Sequence, residues 1–463
     1  MRIAAISVAP VFPNQVIGGS QKILADVAAG LKRSGHDIQI WCTGTEAHSG
    51  DFEIDGVPVH PVLRLRGAFP ATHQISPSAL AQTANRLSAA AEWADRVYLH
   101  ADAVYLRHAI EGAEIVRSIH DFVYEEALLS TLTLPADSTI VPSEYLKRCI
   151  ETTVAFSGRE SIEPVVSVPN GIKVPPTLPE PRLPEGISPR EESDLILLFP
   201  HRPEPTKGIH EAMLTAGEVQ RRIPDRNVRL LIPTYPTGSE LDAAAGSAAQ
   251  ISELAKDLHV ENLVELHDWL NPVDMPGYYA AGDVTLCLGA FIESFGLVPI
   301  ESVANGAPAV CARVGALRQY EGVQGISMVA QADISAAVEA VSTMLEITDE
   351  DIEIGRSTIA SRFSFDAMIS GYENAIAGDL GNTRDIQYAS DDIVELAPWC
   401  EVSGDLIYDD YAGRSQTFTL LAPKLSSNQS RIRLDQRIVD EELRAEIMNA
   451  VEQGILVRQF AFD

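Results

Sequence analysis

In Asp283-Val284-Thr285-Leu286-Cys287-Leu288-Gly289-Ala290-Phe291-Ile292-Glu293-Ser294-Phe295-Gly296-Leu297-Val298-Pro299-Ile300-Glu301-Ser302-Val303-Ala304-Asn305-Gly306-Ala307-Pro308-Ala309-Val310-Cys311 a strand, a loop, a helix and a second strand follow one another. Asp283 to Leu288 is a continuous apolar run, as in a strand buried on both faces. Ser294-Phe295-Gly296 is a loop, and the small apolar residues after it have helical character. Asn305-Gly306 closes that helix, because Gly just past a helix end takes the left-handed conformation that stops it. Ala309-Val310-Cys311 opens the next strand. Two carboxylates punctuate the unit eight positions apart, Glu293 in the loop and Glu301 inside the helix.

A loop that enters a helix presents unpaired backbone N–H groups and the positive end of the helix dipole, a place for a phosphate. A carboxylate one or two turns further on can accept hydrogen bonds from sugar or ribose hydroxyls. One on the loop itself can face a reacting group. Two glutamates at this spacing are, taken alone, equally well ordinary solvated acids. The flanking Phe-Gly-Leu and Asn-Gly-Ala-Pro, and a small apolar helix with no other need of an acid, favour the functional reading.

The same residues carry a resemblance. The segment is similar to the E-x7-E signature of retaining glycosyltransferases with two Rossmann-like domains (the GT-B type), in particular glycosyltransferase family 4. Glu293, Phe295, Gly296, Leu297, Glu301, Gly306 and Pro308 match the usual form, with Ser302 where Ala is common.

Composition sets bounds on this reading. A chain of 463 residues is long for one domain and comfortable for two or three. With 46% hydrophobic and 22% charged residues it can bury sizeable cores. A net charge of −30 argues against a general nucleic-acid binder and against docking on anionic membranes, both of which need a basic surface. Cys42, Cys149, Cys287, Cys311 and Cys400 lack metal-ligand spacing and read as buried free thiols, in keeping with a reducing cytoplasm. No signal peptide precedes the first strand, and no apolar run reaches the roughly 18 residues of a membrane span.

Ile3 to Val8 reads as a central parallel strand. Gly18-Gly19 then opens a helix with Ile23, Leu24, Val27 and Leu31 at three- and four-residue spacing. The pair is not the G-x-G-x-x-G dinucleotide fingerprint and, taken alone, is equally a tight turn. Gly18 through His36 is similar to a family pattern whose glycine pair approaches the donor phosphates and sugar. Strands are expected at 38–41, 96–99, 114–119, 138–142 and 165–168, a hairpin around Asp55-Gly56, and helices at 76–94 and 103–110. His120-Asp121 follows the 114–119 strand. The carboxyl end of a parallel strand is where open α/β sheets bind ligands, and the resemblance places a His here near the donor sugar. Pro169-Asn170-Gly171-Ile172 resembles a motif that closes the first domain, and its residues read as a turn.

Six prolines between Val174 and Pro189 mark a semi-rigid linker over 173–193. Leu195 to Phe199 starts a second domain. His201-Arg202-Pro203-Glu204-Pro205-Thr206-Lys207-Gly208 then leads into a helix from Ile209. Arg and Lys at a strand–loop–helix junction suit a diphosphate, Arg through its planar fork and Lys as a point charge. The segment resembles the family's G-R-x-x-x-x-K-G, with His201 where the family has Gly. Further strands are expected at 228–232, 263–266 and 326–329, and helices at 239–258, 273–281, 334–345, 349–362 and 365–377. The resemblance places the loop at Asp268-Trp269 beside the nucleobase.

The resemblance covers about residues 1–380 and implies two doubly wound α/β domains facing across a cleft: an acceptor-side domain over 1–172 and a nucleotide-sugar domain over 194–380. Residues 381–463 lie outside it. They read as a small α+β appendage with a linker at 378–390, a hairpin around Tyr411-Ala412-Gly413, a helix over 440–453 and a last strand, suited to binding an acceptor or partner or to oligomerisation. The implied activity is metal-independent transfer of a sugar from a nucleoside-diphosphate sugar to an acceptor hydroxyl, with no cofactor. Gly18, Gly19, Arg202, Lys207, Ser294, Phe295, Gly296, Leu297 and Glu301 would bind the donor. His120 and Glu293 would flank its sugar. The residues leave two rivals open, a sugar-nucleotide epimerase or phosphorylase on a similar scaffold and a non-catalytic protein of the same fold.

Overall fold

A computed structural model of the chain describes residues 1–12, 19–46, 49–67, 70–234, 247–389, 393–426, 431–433 and 440–463. Gly18 and the first part of the helix expected over 239–258 lie outside the described residues. The chain forms two compact units, one of Met1–Asn170 together with Asp366–Asp463, the other of Gly171–Phe365.

The first unit is built on β1 (Arg2–Ser7), β2 (Asp37–Thr43), β3 (Phe52–Ile54), β4 (Val57–Leu63), β5 (Arg96–His100), β6 (Ile115–Ser118), β7 (Ser138–Val141), β8 (Ser161–Ile162) and β9 (Val165–Ser167). The sheet order is β3-β4-β2-β1-β5-β6-β7-β9, parallel except for the β3–β4 hairpin. That hairpin turns on Asp55 and Gly56, both at positive φ (48° and 75°), the geometry whose twist matches paired strands. Helices α1 (Gly19–Arg33), α2 (Pro77–Trp93), α3 (Glu125–Thr133) and α4 (Glu144–Phe156) join the strands. Ser76 caps α2 and Ser143 caps α4 by accepting from the backbone N–H three residues on. The helix expected at 103–110 is only a 3-10 turn, Arg107–Ile110. Asp102 takes the Val104 amide and pairs with Arg107, which holds the segment before the turn extended.

The second unit has β10 (Asp194–Leu198), β11 (Asn227–Thr234), β12 (Val264–Asp268), β13 (Val284–Cys287), β14 (Ala309–Ala312) and β15 (Ile326–Val329), wholly parallel in the order β12-β11-β10-β13-β14-β15. Its helices are α5 (Ile209–Arg222), α6 (Ala248–Asp257), α7 (Met275–Ala281), α8 (Leu297–Ala304), α9 (Ile334–Met344) and α10 (Asp349–Arg362). One apolar core joins the sheet to α5, α6 and α9, and others form beneath α7, α8 and α10. Both units are thus Rossmann-like α/β domains. In each, the chain reverses direction across the sheet between two central strands, β1 and β5 in the first and β10 and β13 in the second. Ligands of such folds lie outside the carboxyl ends of the strands at that point.

Three boundaries differ from the sequence reading. The proline-rich 173–193 segment is no free spacer, because it is fastened along the second unit. Arg182 N donates to the Gly277 carbonyl (2.8 Å), Arg356 Nη2 donates to the Pro175 carbonyl (2.7 Å), and Leu183 and Ile187 pack against the core under α7. Asn170-Gly171 makes no turn. Ile172 N donates to the Phe363 carbonyl (2.9 Å) and a Cβ on Gly171 would lie 2.4 Å from the Ser364 carbonyl oxygen, so only Gly lets the two backbones pass. Helix α11 (Phe365–Ala377), expected to finish the second domain, packs with the first. Tyr372 and Ile376 are fully buried there, Tyr372 lies edge-on to Tyr98, and Arg96 Nη1 caps the helix end through the carbonyls of Ile376 and Gly378 (2.8 Å each).

The C-terminal region adds β16 (Arg384–Tyr388), β17 (Ile393–Leu396), β18 (Cys400–Ser403), β19 (Leu406–Asp409), β20 (Arg414–Thr417), α12 (Ala422–Ser426), β21 (Arg431–Arg433), α13 (Glu441–Glu452), β22 (Leu456–Arg458) and β23 (Phe460–Phe462). The expected linker at 378–390 therefore contains a strand, and β16 pairs antiparallel with β8 and β23. The hairpin around Tyr411 is the β19–β20 half of a three-stranded meander.

Gly171→Ala should lower the melting temperature by several degrees, since its Cβ meets backbone that cannot rotate away. Thermal unfolding followed by circular dichroism measures it. An unchanged melting point would mean that the two backbones do not approach this closely.

Candidate functional site

At the switch point of the second unit two loops are locked together, residues 199–208 after β10 and 288–296 after β13. A Cβ on Gly208 would lie 2.4 Å from Gly289 N, and one on Gly289 would lie 2.3 Å from the Thr206 carbonyl oxygen. Gly208 also has φ +87° as it enters α5. Phe291 N donates to the Thr206 carbonyl (2.8 Å) across the same contact. The approach brings Lys207 Nζ to 2.6 Å from Glu293 Oε1 and to 3.6 Å from the centre of the Phe291 ring. Both partners are partly exposed, at 14% and 24% of the side chain, so the pair is reachable from solvent. Arg202 Nε lies 3.2 Å from Oε1 of the buried Glu204, so its charge is met within its own loop. His201, which stands where the family has Gly, packs edge-on against Phe199 and stands beside the Cys287 thiol. Its bulk is therefore taken up inside the domain.

The loop around Ser294 to Gly296 is held from behind. Tyr320 Oη reaches the carbonyls of Phe295 and Gly296 (2.9 Å each), Gln319 Nε2 donates to the Phe295 carbonyl (3.0 Å), and Ala316 N donates to the Glu293 carbonyl (2.8 Å). Phe295 is buried among Tyr320 and Phe363, all three rings near perpendicular. Gly296, at φ +77°, turns the chain into α8, where a Cβ would strike Leu317 at 2.4 Å. The result is a short helix whose first residue is Leu297 and whose N–H groups are aimed by a fixed loop. Glu301, one turn in, accepts from Tyr279 Oη (3.2 Å). The next residue, Ser302, faces inward and bonds Thr285 Oγ1 and the Ala307 carbonyl (2.7 Å each), which explains a hydroxyl where Ala is common.

In the first unit, Gly19 starts α1. Ser20 Oγ lies 2.9 Å from Nε2 of His100, the last residue of β5, which sits opposite Ser7 across the switch point. His100 Nδ1 meets Tyr98 Oη (3.0 Å), Tyr98 Oη meets Ser118 Oγ (2.9 Å), and Ser118 Oγ meets His120 Nε2 (3.1 Å). The two imidazoles are 4.5 Å apart. His120 is thus the end of a chain of five hydrogen-bonding groups, all but Ser20 buried, that the sequence pattern does not reveal. The strand expected at 96–99 runs one residue further, to His100. The usable signal was its place at the carboxyl end of a strand flanking the switch point, which needs the sheet order. Burial pushes the His120 imidazole down to about 4, and holds His100 well below the ordinary value through burial first and the neighbouring imidazole second.

Residues 17–174 match the family described as "Glycosyltransferase Family 4" and residues 185–358 the family described as "Glycosyl transferases group 1". D-inositol 3-phosphate glycosyltransferase of Corynebacterium glutamicum is 30% identical over 192 residues, 40% of this chain and 44% of the relative. The chain thus spans less than half the length of that relative. The fold resembles sucrose-phosphate synthase of Thermosynechococcus elongatus (TM-score 0.63, 18% identity, 81% of this chain and 97% of the other). It also resembles Anabaena HepE in complex with UDP-glucose (TM-score 0.59, 17% identity, 81% and 100%).

Because both imidazoles are held neutral, stability should follow pH with a definite sign. An unfolded His takes up its proton near 6.5, whereas folded His120 resists it down to about 4. The stability is therefore complete above about pH 6.5 and is lost as pH falls from there towards 4, on the order of 3 kcal/mol for this residue. Urea midpoints of wild type and His120→Asn, measured from pH 7 to 4, should converge as pH falls, and parallel curves would contradict the burial described. Two consecutive segments of the chain thus match glycosyltransferase domain families, on a fold shared with solved GT-B glycosyltransferases.

Proposed function

We propose that the protein is a retaining, metal-independent glycosyltransferase that moves a sugar from a nucleoside-diphosphate sugar to an acceptor hydroxyl. The observation that carries this reading is the Lys207–Glu293 pair at the switch point, set beside the start of α8. The ammonium is balanced by the carboxylate and the Phe291 ring. A diphosphate arriving there would take over the ammonium, joined by the Arg202 fork and the amides from Ser294 to Leu297 that lead into α8, and would release Glu293 to accept from sugar hydroxyls. Positive charge placed where the leaving diphosphate gains negative charge stabilises the transition state more than the ground state. Glu301 would accept from the ribose hydroxyls. In the first unit, His120, neutral and backed by the hydrogen-bonded chain to Ser20, would bind a sugar hydroxyl, and Gly18 and Gly19 would bind phosphate. No carboxylate pair is required for acid–base work if nucleophile and leaving group share one face of the sugar.

The uridine nucleotide bound to HepE makes UDP the first nucleotide to test. The inositol phosphate in the Corynebacterium relative's name makes a polyol phosphate one acceptor to try. No helix among the described residues is long and apolar enough to cross a membrane, and the five cysteines are buried thiols outside any disulfide. We place the reaction in the cytoplasm on the strength of those thiols.

Calorimetric titration with UDP, GDP, ADP and dTDP should show selective binding of one nucleotide, weakened at least about tenfold in Lys207→Ala. Binding of none would sink the diphosphate assignment. Glu293→Gln should separate the two roles of its pair. Nucleotide affinity holds or rises, because the ammonium loses its internal partner, while turnover falls by about a hundredfold or more. Equal losses in binding and turnover would contradict a role in holding the sugar. NMR of the product should show retained anomeric configuration, and activity should survive EDTA.

A further inference from the structure

The C-terminal region reaches the loop that carries His120. Tyr411 Oη donates to the Phe122 carbonyl oxygen (3.0 Å), two residues past His120. Beside it, Tyr145 Oη on the first turn of α4 donates to Asp410 Oδ2 (2.7 Å), and Asp410 is 3% exposed. The tip that bears both residues is braced from within. Asp409 Oδ1 accepts from Tyr411 N (2.8 Å) and Ala412 N (3.0 Å), Asp410 N donates to the Trp399 carbonyl (3.0 Å), and the Trp399 ring lies edge-on to Tyr411. The contact continues into the core. Phe122, Ile119 and the buried face of α4 share one apolar cluster with Ile386, against which Trp399, Phe460 and Phe462 pack. The C-terminal region thus supplies part of the floor under the His120 loop as well as a hydrogen bond to its backbone. Tyr411 nevertheless keeps 41% of its surface exposed, and Tyr124, on the same loop, keeps 45%. A side chain that only filled the core would be covered.

We propose that the C-terminal region is an integral part of the first unit's site, with Tyr411 as a positioning residue that fixes the backbone after His120 and so governs how the reacting sugar is held there. This rests on the transferase reading above. A carbonyl held by a side-chain hydroxyl loses one hydrogen bond in Tyr411→Phe and nothing else, so the ring and its packing survive. Tyr388 supplies the control. Its hydroxyl also joins the C-terminal region to α4, through the Ala155 carbonyl (2.6 Å), but at the opposite end of that helix.

Hydrogen–deuterium exchange on the full chain should show the amides of residues 121–126 exchanging about fivefold faster in Tyr411→Phe, with no such change in Tyr388→Phe. Release of nucleotide from the sugar nucleotide that wild type turns over should then lose about fivefold or more in kcat in Tyr411→Phe, with the donor KM within twofold. Tyr388→Phe should match wild type in both. Loop exchange and kcat within twofold of wild type in Tyr411→Phe would overturn the proposal. So would equal losses in the two variants, which would reduce the region to general support. If wild type turns over no nucleotide sugar, the transferase reading fails on its own, and the exchange data still decide whether Tyr411 holds the loop.

Discussion

The second domain depends on a close passage of two backbones. Where the loop after β13 crosses the loop after β10, Gly289 and Gly208 leave no room for a Cβ on either side. A side chain at either position would push the loops apart, and Lys207 would no longer meet Glu293. The pair is thus a product of two absent side chains, with Tyr320, Gln319 and Ala316 holding the Glu293–Gly296 segment from behind. The polar groups at this point are positioned by parts of the fold that a ligand need not touch.

The first domain solves a different problem. It buries two imidazoles side by side and keeps them neutral, at the cost of sensitivity to acid. A buried polar group needs a partner, and Ser20, Tyr98 and Ser118 supply them in one chain running from the start of α1 to the loop after β6. Tyr98 is in turn packed by Tyr372 of α11, a helix more than two hundred residues away in sequence. The C-terminal region bears on the same neighbourhood from the side of α4. Two distant parts of the chain therefore converge behind His120.

Much of the fold was legible in the sequence because parallel strands buried on both faces must read as short apolar runs. The strand at 326–329 and the helices at 349–362 and 365–377 fall where their patterns place them. Punctuation was equally direct where a residue's own conformation sets it, as at Asp55-Gly56, Ser143 and Gly296. Pattern failed where a segment's state depends on what lies against it. The proline-rich 173–193 segment looks free and is fastened. Gly171 looks like a turn and is a crossing. The 378–390 segment looks like a linker and pairs with β8.

The α/β class, the two Rossmann-like domains and the residue types of the candidate site in the second were readable from the chain alone, since these rest on local periodicity and short motifs. Which charges meet depends on how distant segments pack. Lys207 and Glu293 are 86 positions apart and find each other through a glycine contact, while Arg202, in the same short motif as Lys207, is met by its neighbour Glu204. Only tertiary structure added His100 to His120, because the sheet order that sets β5 beside β1 is not written in either strand. It also decided that α11 and the C-terminal strands complete the first domain. An amphipathic helix or an unpaired strand edge declares that it must be covered, but the surface that covers it lies elsewhere in the chain.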